Sequence, residues 1–515
     1  MPEDIFGDPL PQELRTSKKR QLSDKNQRNQ DQRITDCLDY PLLYEMAELL
    51  PPPSRVGCPR QYPPLIYLIM STLMTVTRSK RSVIGTLDGK QWRSVRASVR
   101  RHAGRTAAAL LPVTPPSRKQ YEYAELNLLA PSIAPLQELF EQYATRQALH
   151  QGLFPPDAPH IWSRPERRQL LVGDATVPKA PSKAEHAYTA DTVTGEMRRR
   201  HFDPAARIYY ENGEKEKRIA RGTKWFFASA RDDGYWKRVI LSVRHVAGGE
   251  YEDEAAVAVR TFSELSRDLP GCMGVVYDGA FRGTHRDALA RLGLLVVNKQ
   301  HGSVKPRSYE LLRFGRCRHD LWCDQGRIAE RVLLDDGTST LIPVPVTRLE
   351  HRQGLRKSRW YHLLAIPCCH GTHSHRVPVG ITTTPDDRLG TDPDTGRRLK
   401  SDVERDFHRA EHLQQIPEPT LAHQRVYPYR SDAESVHNQL DKSLWNERMI
   451  SYGLERQNVF MLGFALAQNA TSRRIHQEPP SAPPGGRRAQ QRPPALLTRA
   501  VTKERSGRPV AAARC

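Results

Sequence analysis

Long apolar runs are missing from this chain. The longest, LIYLIMSTLMTV at 65–76, falls short of the roughly 20 residues that cross a bilayer and is interrupted by Ser71 and Thr72, so it reads as a buried helix. The opening stretch MPEDIFGDPLPQELRTSKKR has no apolar segment of the secretory kind. Eight cysteines in 515 residues are ordinary usage, and without a secretory pattern they argue for reduced thiols rather than a disulfide framework. The expectation is a cytoplasmic, nucleoid-associated protein with no membrane partner. A G-x-x-x-x-G-K-[ST] loop is also missing, which removes the usual signal for nucleotide hydrolysis. No internal repeat is visible.

Negative charge is in short supply as well. Asp and Glu number 58 against 79 Lys and Arg, a net charge of +21. The isoelectric point near 9.7 and mean hydropathy of −0.65 complete the picture of a polar, strongly basic chain. Such an excess calls for a polyanionic partner, most simply nucleic acid, because neutralised phosphates release their counterions.

The length allows two to four domains. Residues 1–36 are charged and polar and read as a disordered basic arm. Residues 37–150 read as a helical DNA-binding region, with a linker-like TPPSRKQYEY from 114. From 165 to 300 the texture changes: QLLVGDATV, TKWFFASA, KRVILSVRHV, CMGVVYDGAF and LLVVNK are strand-like, and EDEAAVAVRTFSELSRDL has helical spacing. This implies an α/β fold with a mixed sheet. Residues 301–425 read as a β-rich insertion, 426–476 return to helices, and 477–515 read as a disordered Pro/Arg-rich tail.

Within 63–104 three short helices are expected, in helix-turn-helix style. In the third, Trp92, Val95 and Val99 share one face, and Arg93, Arg96 and Arg100 share the other. That basic face suits phosphates or a groove; the plainer alternative is a basic surface helix packed through Trp92.

The densest polar chemistry lies in YPYRSDAESVHNQLDKSLWNERM at 427–449. Ser431-Asp432-Ala433-Glu434 fits a capping box, which would make Glu434 a helix start and nothing more. On a helical wheel Ala433, Val436, Leu440 and Leu444 form an apolar face, opposite Glu434, Asn438, Asp441 and Trp445, with Lys442 at the edge. Two aspartates alter the weighing. Asp174 and Asp278 each end an apolar strand and are followed by small residues. Carboxylates at adjacent strand ends, joined by a third from a helix packed on the sheet, make an all-oxygen pocket suited to Mg²⁺ or Mn²⁺. Paired ions of this kind support in-line phosphoryl displacement without a side-chain nucleophile.

The succession of VGDAT, VYDGA and YPYRSDAESVHNQLDK resembles the DDE transposases of bacterial insertion sequences, in particular those with a Tyr-x2-Arg-x3-Glu-x6-Lys signature. Tyr427, Arg430 and Glu434 match that spacing, whereas Lys442 falls one residue late and Asp441 stands in the expected slot. The resemblance covers roughly 165–475. It implies an RNase H-like catalytic domain carrying the β-rich insertion between the second Asp and the Glu, with Asp174, Asp278 and Glu434 as catalytic metal ligands. It also implies Tyr427, Arg430 and Lys442 at double-stranded DNA, and a dimer when paired on transposon ends. Related alternatives are an RNase H-like nuclease without strand transfer and an inactive, domesticated DNA-binding protein.

Two lesser expectations remain. Cys317, His319, Cys323, Cys368, Cys369, His370, His373 and His375 cluster in the insertion and suggest a structural Zn²⁺, although the C-x5-C spacing is unusual. Arg282, His285 and Arg286, close after Asp278, suit either DNA contact or an exposed turn.

Overall fold

The structure is a computed structural model and describes residues 3–7, 28–52, 60–190, 193–211, 218–234, 237–249, 252–354, 358–382, 395–398, 402 and 404–478. The expected tail from 479 onward and most of the expected arm, 8–27, lie outside the described residues. Both ends of that arm are built into the fold, which corrects the reading of 1–36 as disordered. Phe6 is buried, the Ile5 amide donates to the Val346 carbonyl at 2.9 Å, and Asp4 pairs with Arg327 at 2.6 Å. At the other end Asn29 and Gln32 form a reciprocal capping box that starts the helix Gln30–Leu38.

The three helices expected within 63–104 are Pro64–Thr77, Lys80–Thr86 and Trp92–His102. The first begins on a proline, whose missing amide costs nothing in a first turn, and all its residues but Pro64 are buried. The break between the second and third falls at Gly89, whose φ of +77° suits a residue without a side chain. Trp92, Val95 and Val99 are buried as expected, and the Trp92 indole N–H donates to the Pro112 carbonyl at 3.1 Å. The expected linker is partly helical: Ser117 and Gln120 cap each other and start Arg118–Ala124, while Pro115 and Pro116 remain outside. The helix Ile133–His150 closes this region.

The helical region is not a separately packed body. One apolar cluster runs from Ile34 through Trp92 and Phe140 to Phe226, Leu440 and Ala470. The long helix Leu454–Gln477 joins the parts. Its Gly463 lies against the Pro64–Thr77 helix so closely that a Cβ there would sit 2.8 Å from the Ser71 carbonyl oxygen.

At the centre is a five-stranded sheet of β1 (Leu170–Thr176), β2 (Lys224–Arg231), β3 (Arg238–Val246), β4 (Gly274–Val276) and β5 (Leu295–Val297). Its order is β3-β2-β1-β4-β5. β1, β2 and β3 are antiparallel neighbours, while β4 runs parallel to β1 and β5 parallel to β4. The mixed α/β architecture expected from the sequence is thus present. On one face Phe226 of β2 meets Phe262 of the helix Glu254–Arg267. On the other, Phe227 meets His437 of the helix Ser431–Ser443 and Phe464 of the long helix. Alternation along a strand assigns each neighbouring residue to the opposite face.

The region 301–425 is β-rich as expected. A four-stranded antiparallel sheet spans Arg307 to Pro343 and a three-stranded one Val346 to Pro378. Both belong to a second apolar cluster that includes Leu170, Val172, Val276, Leu295 and Val297 of the central sheet. The buried Trp360 donates its indole N–H to the Ala290 carbonyl at 2.9 Å. No described helix is long and apolar enough to cross a membrane.

Candidate active site

Asp174 sits in β1 opposite Phe227 of β2, which places its carboxylate on the face covered by the Ser431–Ser443 helix. Its own Oδ1 accepts from the Ala175 amide at 2.9 Å. Asp278 lies just past β4, the parallel neighbour of β1, and its Oδ1 accepts from the Ala280 amide at 2.9 Å. Register therefore brings together two residues far apart in sequence.

A third carboxylate joins them that the sequence pattern does not single out. Oxygens of Asp174, Asp278 and Glu254 lie within 4.8 Å of one another. Glu254 is the first residue of the helix Glu254–Arg267, behind the N-cap Asp253. In sequence an acid there looks like ordinary compensation of a helix dipole; only the sheet order reveals where that helix starts. Both Glu254 oxygens already have donors: Oε1 accepts from the Tyr277 hydroxyl at 2.7 Å, and Oε2 pairs with Lys224 at 2.5 Å.

Glu434 reaches the site by a different route. Arg430 bridges it to Asp174, with the guanidinium 3.3 Å from Asp174 Oδ2 and paired through its other nitrogen with Glu434. The Glu434 side chain is 54% exposed, so it is free to turn. The capping-box reading of Glu434 is overturned. The helix is entered continuously from a tight turn over Tyr427–Arg430, its N-cap is Arg430, and no side chain caps it. Carbonyls of the preceding turn accept from the Ser431 amide, doing for the helix start what a capping side chain would otherwise do, so Ser431 and Glu434 are released from that duty.

Asp432 has a role of its own. It is 1% exposed and holds Arg167 through two hydrogen bonds of 2.8 and 2.6 Å and Arg231 through one of 2.7 Å. This fixes the start of the helix to the sheet. The expected apolar face, Ala433, Val436, Leu440 and Leu444, is buried. Glu434, Asn438 and Lys442 follow one another every fourth residue along the exposed side, so Lys442 shares a row with Glu434 despite its late position. Trp445 lies just beyond the helix and is 63% exposed.

Tyr427 stacks on His423 with ring centroids 5.0 Å apart, and the Lys299 ammonium lies 5.6 Å from its ring centre. Of the residues after Asp278, Arg286 is buried against the Glu411 carbonyl, Arg282 pairs with the Glu411 carboxylate, and His285 accepts from the Arg282 amide. Arg286 is thus a packed residue of the fold rather than part of an exposed turn, while Arg282 remains 45% exposed beside its partner. Arg93 and Arg100 are exposed and Arg96 half-buried, with no carboxylate partner for any of them among the described residues. They form an unneutralised row on the outer face of their helix.

The carboxylates strain against burial. Asp174 is pushed up to about 7, chiefly by desolvation, with Asp278 and Glu254 adding repulsion that Arg430 offsets in part. Asp278 is raised as well, first by burial. On the helix, burial lowers His437 to about 4, so it is neutral at physiological pH. Concentrated carboxylate oxygens with no soft donor fit a hard divalent cation, Mg²⁺ or Mn²⁺ among them.

This pressure has a measurable consequence. In the unfolded chain Asp174 gives up its proton near the ordinary 3.8, but in the folded protein only near 7. Metal-free stability should therefore fall as pH rises between those values and level off above them. Asp174→Asn should raise the melting temperature at pH 8 in chelator, by an amount that shrinks toward pH 5. Mg²⁺ should raise the melting temperature of the wild type but not of the variant. Equal melting at pH 8 with and without the substitution would show that the carboxylate is not under such pressure.

No family model, curated protein or solved structure matches this chain.

Proposed function

We propose that this chain is a DDE-type DNA transposase, cutting DNA at the ends of a mobile element and joining those ends to a target. The observation that carries the reading is the meeting of Asp174, in one strand, and Asp278, just past its parallel neighbour, with Arg430 linking Asp174 to Glu434 at the start of the helix that covers them, while the carboxylate within 4.8 Å of both aspartates is that of Glu254. The sheet of three antiparallel strands followed by two parallel ones, with its acids at the central pair, supports an RNase H-like core.

Asp174, Asp278 and Glu434 would hold Mg²⁺ or Mn²⁺, with Glu434 exchanging Arg430 for the ion. The metal supplies charge neutralisation at the phosphoryl group during in-line displacement. Arg430, once released, and Lys442 on the same exposed side suit phosphates of the bound strand. Tyr427 lies against the site as a packing surface. Arg93, Arg96 and Arg100 supply a second, distant phosphate contact, consistent with the net charge of +21. Transposon ends come in pairs, so the working form is a dimer assembled on DNA.

The test is incubation of the full chain with DNA carrying the inverted repeats that flank its reading frame. Mg²⁺-dependent nicks at the repeat boundary and joined products are expected. Cleavage without joining would assign a nuclease instead, and binding without either would assign an inactive DNA-binding protein.

Replacing Arg93, Arg96 and Arg100 together with Ala should weaken binding to the same DNA. The log–log salt slope should flatten by roughly 0.9 for each phosphate that is no longer neutralised. An unchanged slope would place the DNA on another surface.

A further inference from the structure

The insertion brings two β-hairpin turns together from two different sheets. Cys317 opens a strand directly after the turn at Gly315 and Arg316, with His319 two residues along it. Cys368 ends a strand before the turn at Cys369 and His370, and His373 lies on the returning strand. Ligand atoms of Cys317, His319, Cys368 and His373 lie within 4.8 Å of one another. The Cys317 and Cys368 sulfurs are 3.0 Å apart and the thiols are free.

Three observations point to a ligand rather than to packing. His319 is 4% exposed, yet its Nε2 has no hydrogen-bond partner. The Nε2 of His373 is buried and unpartnered too. A buried polar atom left unpaired is costly, and two of them beside two thiols are accounted for by a shared ion. The other nitrogen of His319 is already oriented: Nδ1 lies 2.7 Å from Glu330 Oε1. A carboxylate behind the imidazole leaves Nε2 as the lone-pair donor, the usual support for a metal-ligating histidine. Phe314 stacks on His373 at 4.4 Å and 8°, which fixes that ring as well.

We propose that Cys317, His319, Cys368 and His373 bind a structural Zn²⁺ that ties the four-stranded sheet to the three-stranded one. Two thiolates and two imidazoles are a standard closed tetrahedral set. Zinc bond lengths of about 2.0–2.3 Å place such donors roughly 3.3–3.8 Å apart; small side-chain rotations reach that spacing, opening the 3.0 Å sulfur pair slightly and bringing in donors that lie up to 4.8 Å away. The wider set expected from sequence narrows to these four. Cys323 is buried in the apolar cluster and His375 pairs with Glu310 at 3.4 Å. Cys369 and His370 border the site and form a second close group with Cys368, the His370 Nδ1 lying 3.0 Å from Cys369 Sγ and 3.1 Å from Cys317 Sγ, but both are exposed turn residues, without the buried, oriented nitrogens of His319 and His373. This site is independent of the transposase reading: it stands or falls without any DNA present.

Elemental analysis of the full chain, purified in reducing buffer, should give one zinc per chain. Chelation should lower the melting temperature and zinc should restore it. Cobalt replacement should give a tetrahedral d–d spectrum with thiolate charge-transfer absorption. His319→Gln and His373→Gln should lose the metal, whereas Cys369→Ser and His370→Gln should keep it. The cobalt spectrum is read on the unaltered protein, so it holds even where a variant misfolds. No zinc and no tetrahedral cobalt spectrum would overturn the proposal. So would a Cys317–Cys368 disulfide persisting in the reduced preparation, or loss of metal from Cys369→Ser or His370→Gln.

Discussion

Asp174→Asn, Asp278→Asn and Glu434→Gln should each lower Mg²⁺-dependent cleavage and joining by roughly a thousandfold or more, equivalent to about 4 kcal/mol of transition-state stabilisation. Each change removes a charged oxygen donor from the site proposed to concentrate a cation. DNA binding should survive in all three, because the proposed reading assigns it to basic residues elsewhere, and removal of a carboxylate near phosphates should favour it slightly. Glu254→Gln is the informative contrast. Glu254 lies nearer the two aspartates, but its oxygens are held by Tyr277 and Lys224. Glu434 is exposed and held by Arg430. Glu254→Gln should therefore leave measurable cleavage where Glu434→Gln leaves none. Arg430→Ala should differ from all of these, reducing cleavage and weakening end binding together, since its released guanidinium is assigned to a phosphate. Gel shift and cleavage on the same end-containing DNA separate these outcomes. Near wild-type cutting by Glu434→Gln, with loss in Glu254→Gln, would transfer the third ligand to Glu254 and discard the family signature as a guide to this site.

The parts of this arrangement that sequence reveals are those carried by local pattern. Asp174 and Asp278 stand out because each ends an apolar strand, and a strand end is a local property. The buried face of the Ser431–Ser443 helix is equally visible in its period, and so is the β texture of the insertion. What escapes is whatever depends on which elements become neighbours. Glu254 and the true duty of Asp432 look like helix-start acids until the sheet order is known. Arg286 looks like an exposed basic residue until Glu411 is placed beside it. The apparent capping box at Ser431 is a correct local pattern overridden by a preceding turn that continues into the helix. The join between helical region and central sheet is hidden for the same reason, since Gly463 meets Ser71 only through tertiary packing.

Asp432→Ala should be the most damaging single substitution to the fold around the site, by about 3–5 kcal/mol. Asp432 is the shared acid of Arg167 and Arg231, whose side chains are themselves only 18% and 12% exposed. Its removal takes away the buried acid that both guanidiniums share, in a poorly solvated space where their charge is costly to leave unneutralised. Arg167 also lies over the Tyr429 ring at 5.1 Å, so its displacement reaches the turn that leads into the helix. Asp432→Asn should cost less, because an amide oxygen still accepts one of the hydrogen bonds while the charge is lost. The consequence for the site follows from position. Asp432 points into the sheet and is flanked by Arg430 and Glu434, which are the residues on display. When the anchor is lost, the bridge from Asp174 through Arg430 to Glu434 loses its fixed end. Urea unfolding should show the loss of stability. Cleavage should fall in Asp432→Asn even at temperatures where circular dichroism reports an intact fold, while the salt dependence of DNA binding, assigned above to Arg93, Arg96 and Arg100, should stay unchanged. Stability of Asp432→Ala within about 1 kcal/mol of the wild type would mean that the two arginines find other acids and that the helix is held by its apolar face alone.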